Sequence, residues 1–92
     1  MNFVRVAVLG AGGLGKAAAL VLEGKREMKL TAICDRKGVL HAGGGLPASG
    51  IAGLPNSGSV AELPGGRASS DAVGDMIELA RSRAYDAVFM AL

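Results

Sequence analysis

Residues 3–15 read F-V-R-V-A-V-L-G-A-G-G-L-G. The first part, Phe3 to Leu9, is an apolar run interrupted only by Arg5 and stopped at once by Gly10. A run of that length without polar alternation fits a strand buried on both faces, the pattern of a parallel sheet. From Gly13 to Glu23 the period changes: Leu14, Ala17, Ala18, Val21 and Leu22 recur at helical spacing and predict one apolar helix face, with Gly24 as the stop. After the polar turn Lys25-Arg26-Glu27, the run Leu30 to Cys34 predicts a second strand ending at Asp35. Strand, helix and strand together fill residues 3–35, the size of a right-handed βαβ unit.

Beyond Asp35 the character shifts. Arg36 to Gly66 holds nine of the 15 glycines, all three prolines and only three charged residues, Arg36, Lys37 and Glu62. It reads as a Gly/Pro-rich excursion over 36–66, punctuated by turns at Gly43-Gly44-Gly45, Pro47 and Pro55, with a short strand near Ser59 to Leu63. Regular patterning returns at Ser70-Asp71, good N-cap types, followed by Val73, Met76, Ile77 and Ala80 on one helical face despite the helix-weakening Gly74. Tyr85 to Leu92 is a further apolar strand. At 92 residues the chain has room for one small core, and residues 1–92 are expected to form a single α/β domain. The expected architecture is a partial Rossmann-type parallel sheet, a βαβ unit plus a further helix and strand, truncated after the last strand.

Composition removes several classes. Half the residues are apolar and 20% charged, a globular balance, and a net charge of +2 spread from Arg5 to Arg83 provides no clustered basic face for nucleic acid. No uninterrupted apolar stretch is longer than Ala17 to Leu22, which is far too short to span a bilayer. A lone Cys34 excludes an internal disulfide and the Cys-rich zinc patterns, so a reducing, cytoplasmic setting is expected, with no metal site and no membrane.

Between the first strand and the first helix, Gly10-Ala11-Gly12-Gly13-Leu14-Gly15 satisfies G-x-G-x-x-G. Gly10 permits the tight turn, Gly12 lets backbone approach a pyrophosphate, and Gly15 lets the helix lie against the strand, while the amides of the helix start face the anion. Asp35 follows Gly15 by 20 residues at the end of the second strand, where a carboxylate accepts hydrogen bonds from an adenosine ribose. Strand, turn, helix and acid in register point to a dinucleotide. Two other readings use the same glycines. A Walker A loop fails at Ala17, where a Ser or Thr should hold magnesium. The adenylating enzymes of ubiquitin-like proteins share the turn but carry a second acidic residue and an Asn-Arg-Gln segment that this chain lacks. Asp35 favours NAD, since a 2′-phosphate would sit against its charge, whereas Arg36 and Lys37 could pair with that phosphate and admit NADP.

The segments V-R-V-A-V-L-G-A-G-G-L-G, L-T-A-I-C-D-R-K-G-V-L and Y-D-A-V-F-M-A-L together resemble the N-terminal nucleotide-binding part of homoserine dehydrogenases and related NAD(P)-dependent oxidoreductases. The Asp35 to Val39 element is the more particular piece, and the Gly-rich middle matches poorly. The resemblance implies that Gly10, Gly12, Gly13, Leu14 and Gly15 contact the cofactor phosphates and that Asp35, Arg36 and Lys37 surround the adenosine ribose. It also implies hydride transfer to or from a small amino-acid-related alcohol or aldehyde, in amino-acid biosynthesis. The catalytic lysine and acidic residues of that family lie in segments with no counterpart here, and His41, in a Gly-rich stretch, reads as a solvated loop residue; no catalytic residue is assigned. Two other expectations stand beside this one: a non-catalytic nucleotide-sensing half-Rossmann module, and self-association through an exposed sheet edge or apolar faces.

Overall fold

The computed structural model describes residues 3–10, 12–54 and 58–90. The apolar run at the N-terminus is strand β1 (Val4–Leu9), the helical period gives α1 (Gly13–Glu23), and the next run gives β2 (Met28–Cys34). β3 (Gly38–His41), the short helix α2 (Ala48–Ala52), a 3-10 turn at Val60–Glu62 and β4 (Arg67–Ala68) follow. The chain then forms α3 (Ala72–Arg81) and β5 (Ala87–Met90).

The five strands make one sheet in the order β4-β3-β2-β1-β5. β2 and β5 both run parallel to β1, one on each side of it, whereas β3 and β4 join antiparallel. The fold is thus a small α/β domain with a mixed sheet, and the expectation of an all-parallel sheet is corrected. The reversal follows from the turn at residues 35–38: the Asp35 carboxylate accepts the amides of Lys37 and Gly38, and the Asp35 amide donates to the Gly38 carbonyl, so the chain doubles back beside β2. Gly38 is required there. A Cβ would lie 2.4 Å from the Arg67 carbonyl oxygen and 2.5 Å from the Ala61 Cβ, so β4 and the 3-10 turn close over it only because it has none.

Alternation along the buried strands divides the core into two layers. On one face Val8, Leu30, Ile33 and Leu40 pack with Ala19 of α1, Ala48 and Ile51 of α2, and Val60. On the other, Ala7, Leu9, Ala32, Cys34 and Val39 pack with Ala72 and Met76 of α3, flanked by Leu79 and Tyr85. Both faces of β1 from Val6 onward and of β2 from Leu30 onward are therefore covered, as their largely apolar runs require. Thr31 is the extra residue where the β1–β2 register shifts; it is fully buried and donates to the Ala84 carbonyl at 3.0 Å.

Several expectations are revised. The excursion at 36–66 contains β3, α2 and the 3-10 turn, and its Val60 and Ile51 are fully buried. The segment near Ser59 is helical instead of extended because Ser59 Oγ accepts the Ala61 amide, a local bond that competes with a strand ladder. In α3 the buried face is Ala72 and Met76; Val73 and Ile77 stay about half exposed. In α1 Gly15 and Ala19 are buried, with Ala18 and Leu22 half-buried, while Ala17 and Val21 face outward. His41 ends β3 on the surface. The turn assigned to Pro55 and the last residues of the expected final strand, Ala91 and Leu92, lie outside the described residues.

Candidate functional site

β1 delivers the chain to Gly10, which adopts φ 105°, a left-handed conformation that glycine takes without the Cβ penalty of other residues. Its amide donates to the Cys34 carbonyl at 2.9 Å, so the glycine turn and the end of β2 are adjacent. α1 then starts with Gly12 as N-cap, and the Lys16 amide donates to the Gly12 carbonyl at 2.8 Å. Gly15 crosses directly over Gly10: a Cβ on it would fall 1.8 Å from the Gly10 carbonyl oxygen. Two of the fingerprint glycines are thus demanded by the turn itself.

Gly12 differs from both. Its φ of −74° suits any residue, and a Cβ built on it meets nothing within 4 Å. Among the described residues no contact calls for glycine there. No side chain caps the start of α1, and no acidic residue occupies its first turn. The helix start therefore presents backbone amides and the positive end of its dipole to open space, the arrangement that receives an anion. Gly13 and Leu14 belong to that first turn by their backbone. Because β2 and β5 lie on opposite sides of β1, the strand order reverses at β1, and the turn sits at the carboxyl end of the strand where open α/β sheets form their ligand crevice.

Asp35 stands beside this turn, as its spacing predicts, but its carboxylate is heavily engaged. Oδ1 accepts from the amides of Lys37 and Gly38 and from Ser59 Oγ, and Oδ2 accepts from the Val60 amide at 2.8 Å. Ser59 is almost fully buried, so the bond ties the middle segment to the end of β2. Sequence reasoning missed Ser59 and Val60, which lie 24 and 25 positions further on. A Ser-Val dipeptide has no signal that would have marked it. Arg36 and Lys37 are exposed in the turn that leads into β3, and Arg36 makes no ion pair among the described residues.

Lys16, next to the glycine turn, donates from Nζ to the Leu54 carbonyl at 2.6 Å and so fastens the end of α2 to α1. A Walker A lysine would instead be held for a phosphate. Cys34 is buried, and desolvation pushes its thiol above the usual value of 9.0. Among the described residues no cluster of His, Cys, Asp or Glu could hold a metal ion, and no helix is long and apolar enough to cross a membrane. No family model and no curated protein matches the chain.

Proposed function

We propose that this chain is the cofactor-binding domain of an NAD(P)-dependent oxidoreductase of the homoserine dehydrogenase kind. It would hold the pyrophosphate over Gly12 and the start of α1, and the adenosine at the ends of β1 and β2. The supporting observation is the contrast among the glycines: Gly10 and Gly15 are explained by the turn, whereas Gly12 faces unfilled space beside uncapped amides. Gly10, Gly12, Gly13, Leu14 and Gly15 would form the phosphate cradle. Asp35 Oδ2, which accepts one bond among the described residues, keeps capacity for a ribose hydroxyl. Its charge favours NAD, and the exposed Arg36 and Lys37 leave room for NADP. When bound, the nicotinamide supplies the hydride chemistry; this chain binds and orients the adenosine half.

Calorimetric titration with NADH and NADPH tests the reading. Both the wild-type chain and Gly12→Val should keep the fold by circular dichroism, because the new side chain enters open space. Wild type should bind a dinucleotide, and Gly12→Val should weaken it by roughly tenfold or more, since a branched side chain would occupy the pyrophosphate position. Absence of binding to either nucleotide, or unchanged binding by Gly12→Val, would overturn it.

A further inference from the structure

A cleft lies at the end of the sheet away from the glycine turn, where α1 ends, β2 begins and the chain turns after β3. Its volume is about 370 Å³, and all of its lining residues fall between positions 19 and 47. That volume is within the roughly 300–1,000 Å³ of small-molecule sites. The floor is apolar: Ala19 and Leu30 are buried in the core layer, and Leu22 and Leu46 pack against it. The rim is charged. Lys29 lies along it, its stem beside Gly45, where a Cβ would stand 3.6 Å from Lys29 Cδ, and its ammonium 5.0 Å from the centroid of the Phe3 ring. Lys25 lines the same cleft, and neither lysine pairs with a carboxylate among the described residues. Glu23, the one acid of the lining, is engaged by the protein: its Oε2 accepts the Ala48 amide at 2.7 Å. Gly44 completes the rim. The Gly45 amide closes a turn onto the Ala42 carbonyl, and within that turn the Gly44 amide donates to no acceptor among the described residues. Gly44 is outside the left-handed region, and a Cβ on it would meet nothing within 4 Å.

We propose that this cleft binds a small carboxylate with an apolar body. The hydrocarbon would rest on Ala19, Leu22, Leu30 and Leu46, and the carboxylate would take hydrogen bonds from Lys25, Lys29 and the Gly44 amide. Two cations without ion pairs, set against one acid already engaged, select an anion. The apolar floor selects an organic anion over a bare inorganic one, because only the former removes that floor from water. Lys29, already laid along the rim by Gly45 and Phe3, gives up less side-chain freedom on binding than a lysine extended into solvent.

Titration of the full chain with hexanoate, followed by the amide shifts of its heteronuclear NMR spectrum at neutral pH and constant ionic strength, tests this without requiring a variant to fold. Hexanol and hexylamine serve as the neutral and cationic probes of the same body. Hexanoate should shift the amides of Leu30, Gly44, Gly45 and Leu46 saturably, and the Gly10 amide at the other end of the sheet should not move. Hexanol should bind about tenfold or more weakly, the loss of hydrogen bonds to charged groups. Lys29→Met, which keeps an apolar stem beside Gly45, should weaken hexanoate by a similar factor and leave hexanol unchanged. No saturable shift with hexanoate would overturn the proposal. So would hexylamine binding as tightly as hexanoate, since Glu23 and the carbonyl end of α1 would then set the choice of ligand. Equal binding of hexanol, or hexanoate affinity unchanged by both Lys29→Met and Lys25→Met, would overturn it as well. None of these readouts depends on dinucleotide binding.

Discussion

Arg83 is the one non-glycine residue in the left-handed region among the described residues, at φ 61°. It follows α3, whose end is closed by the Arg83 amide on the Ala80 carbonyl and the Ala84 amide on the Leu79 carbonyl. This is where helices ordinarily place glycine, and an L-residue there costs about 1–2 kcal/mol. Arg83→Gly should therefore stabilise the fold by about 0.5–1 kcal/mol, the gain being reduced by the extra freedom of glycine in the unfolded chain. Urea titration reads this as a raised midpoint at unchanged slope. Arg83→Ala, which removes the charge and keeps the Cβ, should give no comparable gain; an equal gain would assign the effect to charge. The same residue-level logic separates the glycines of the turn. Gly15→Ala must displace the Gly10 carbonyl and disturb the fold, whereas a substitution at Gly12 meets open space.

At the level of elements, Asp35 holds the two parts of the chain together. Four protein donors converge on its carboxylate, from the turn after β2 and from the start of the 3-10 turn. Replacing it by Asn would turn an amide group with one acceptor oxygen toward this set of donors and leave the Val60 or Gly38 amide without its partner. Each such loss costs about 1–3 kcal/mol. Asp35→Asn should lower the unfolding free energy by about 2 kcal/mol or more in urea. A change within about 0.5 kcal/mol, the ordinary surface range, would mean that the network is dispensable. The bonds that Asp35 makes also explain what could be read in advance. β1, α1 and β2 were legible because each carries one clear pattern, an apolar run or a helical period, over at least six residues. β3 and α2 have four and five residues, set among glycines, and owe their form to bonds made with distant residues. For example, the Ala48 amide that opens α2 donates to Glu23 at the end of α1. The exposed Val73 and Ile77 misled the choice of buried face on α3, because apolar spacing does not distinguish a face on the core from one left open. The glycine turn and Asp35 were found by spacing, while the donors that Asp35 recruits come from the fold.

For the whole molecule, the seam between β1 and β5 ties the exposed strand β5 to the buried centre of the sheet. A clamp at the entry to β5 strengthens the seam. Asp86 donates its amide to the Arg5 carbonyl at 2.7 Å, and its carboxylate accepts from the Arg5 amide, Nε and Nη2 at 3.0, 3.2 and 3.0 Å. The bidentate guanidinium and the backbone amide hold the Asp86 carboxyl below its usual value of 3.8. A carboxyl whose pKa is lower in the folded chain contributes stability above its unfolded value, and that contribution is lost as pH falls through the lower folded one. Both groups are open to solvent, so the effect should be modest and weakened by salt. Asp86→Asn should accordingly lower stability at neutral pH. Its difference from wild type should shrink on acidification below 3.8, because wild type then loses the same interaction. Denaturant curves of both proteins across that range, at low and high salt, make the check. A difference that stayed constant through the acid range would show that the amide and carbonyl bonds hold the seam, with the ion pair adding nothing to it. A vanishing difference would place the acid sensitivity of the sheet at the entry to β5, where Asp86 meets Arg5.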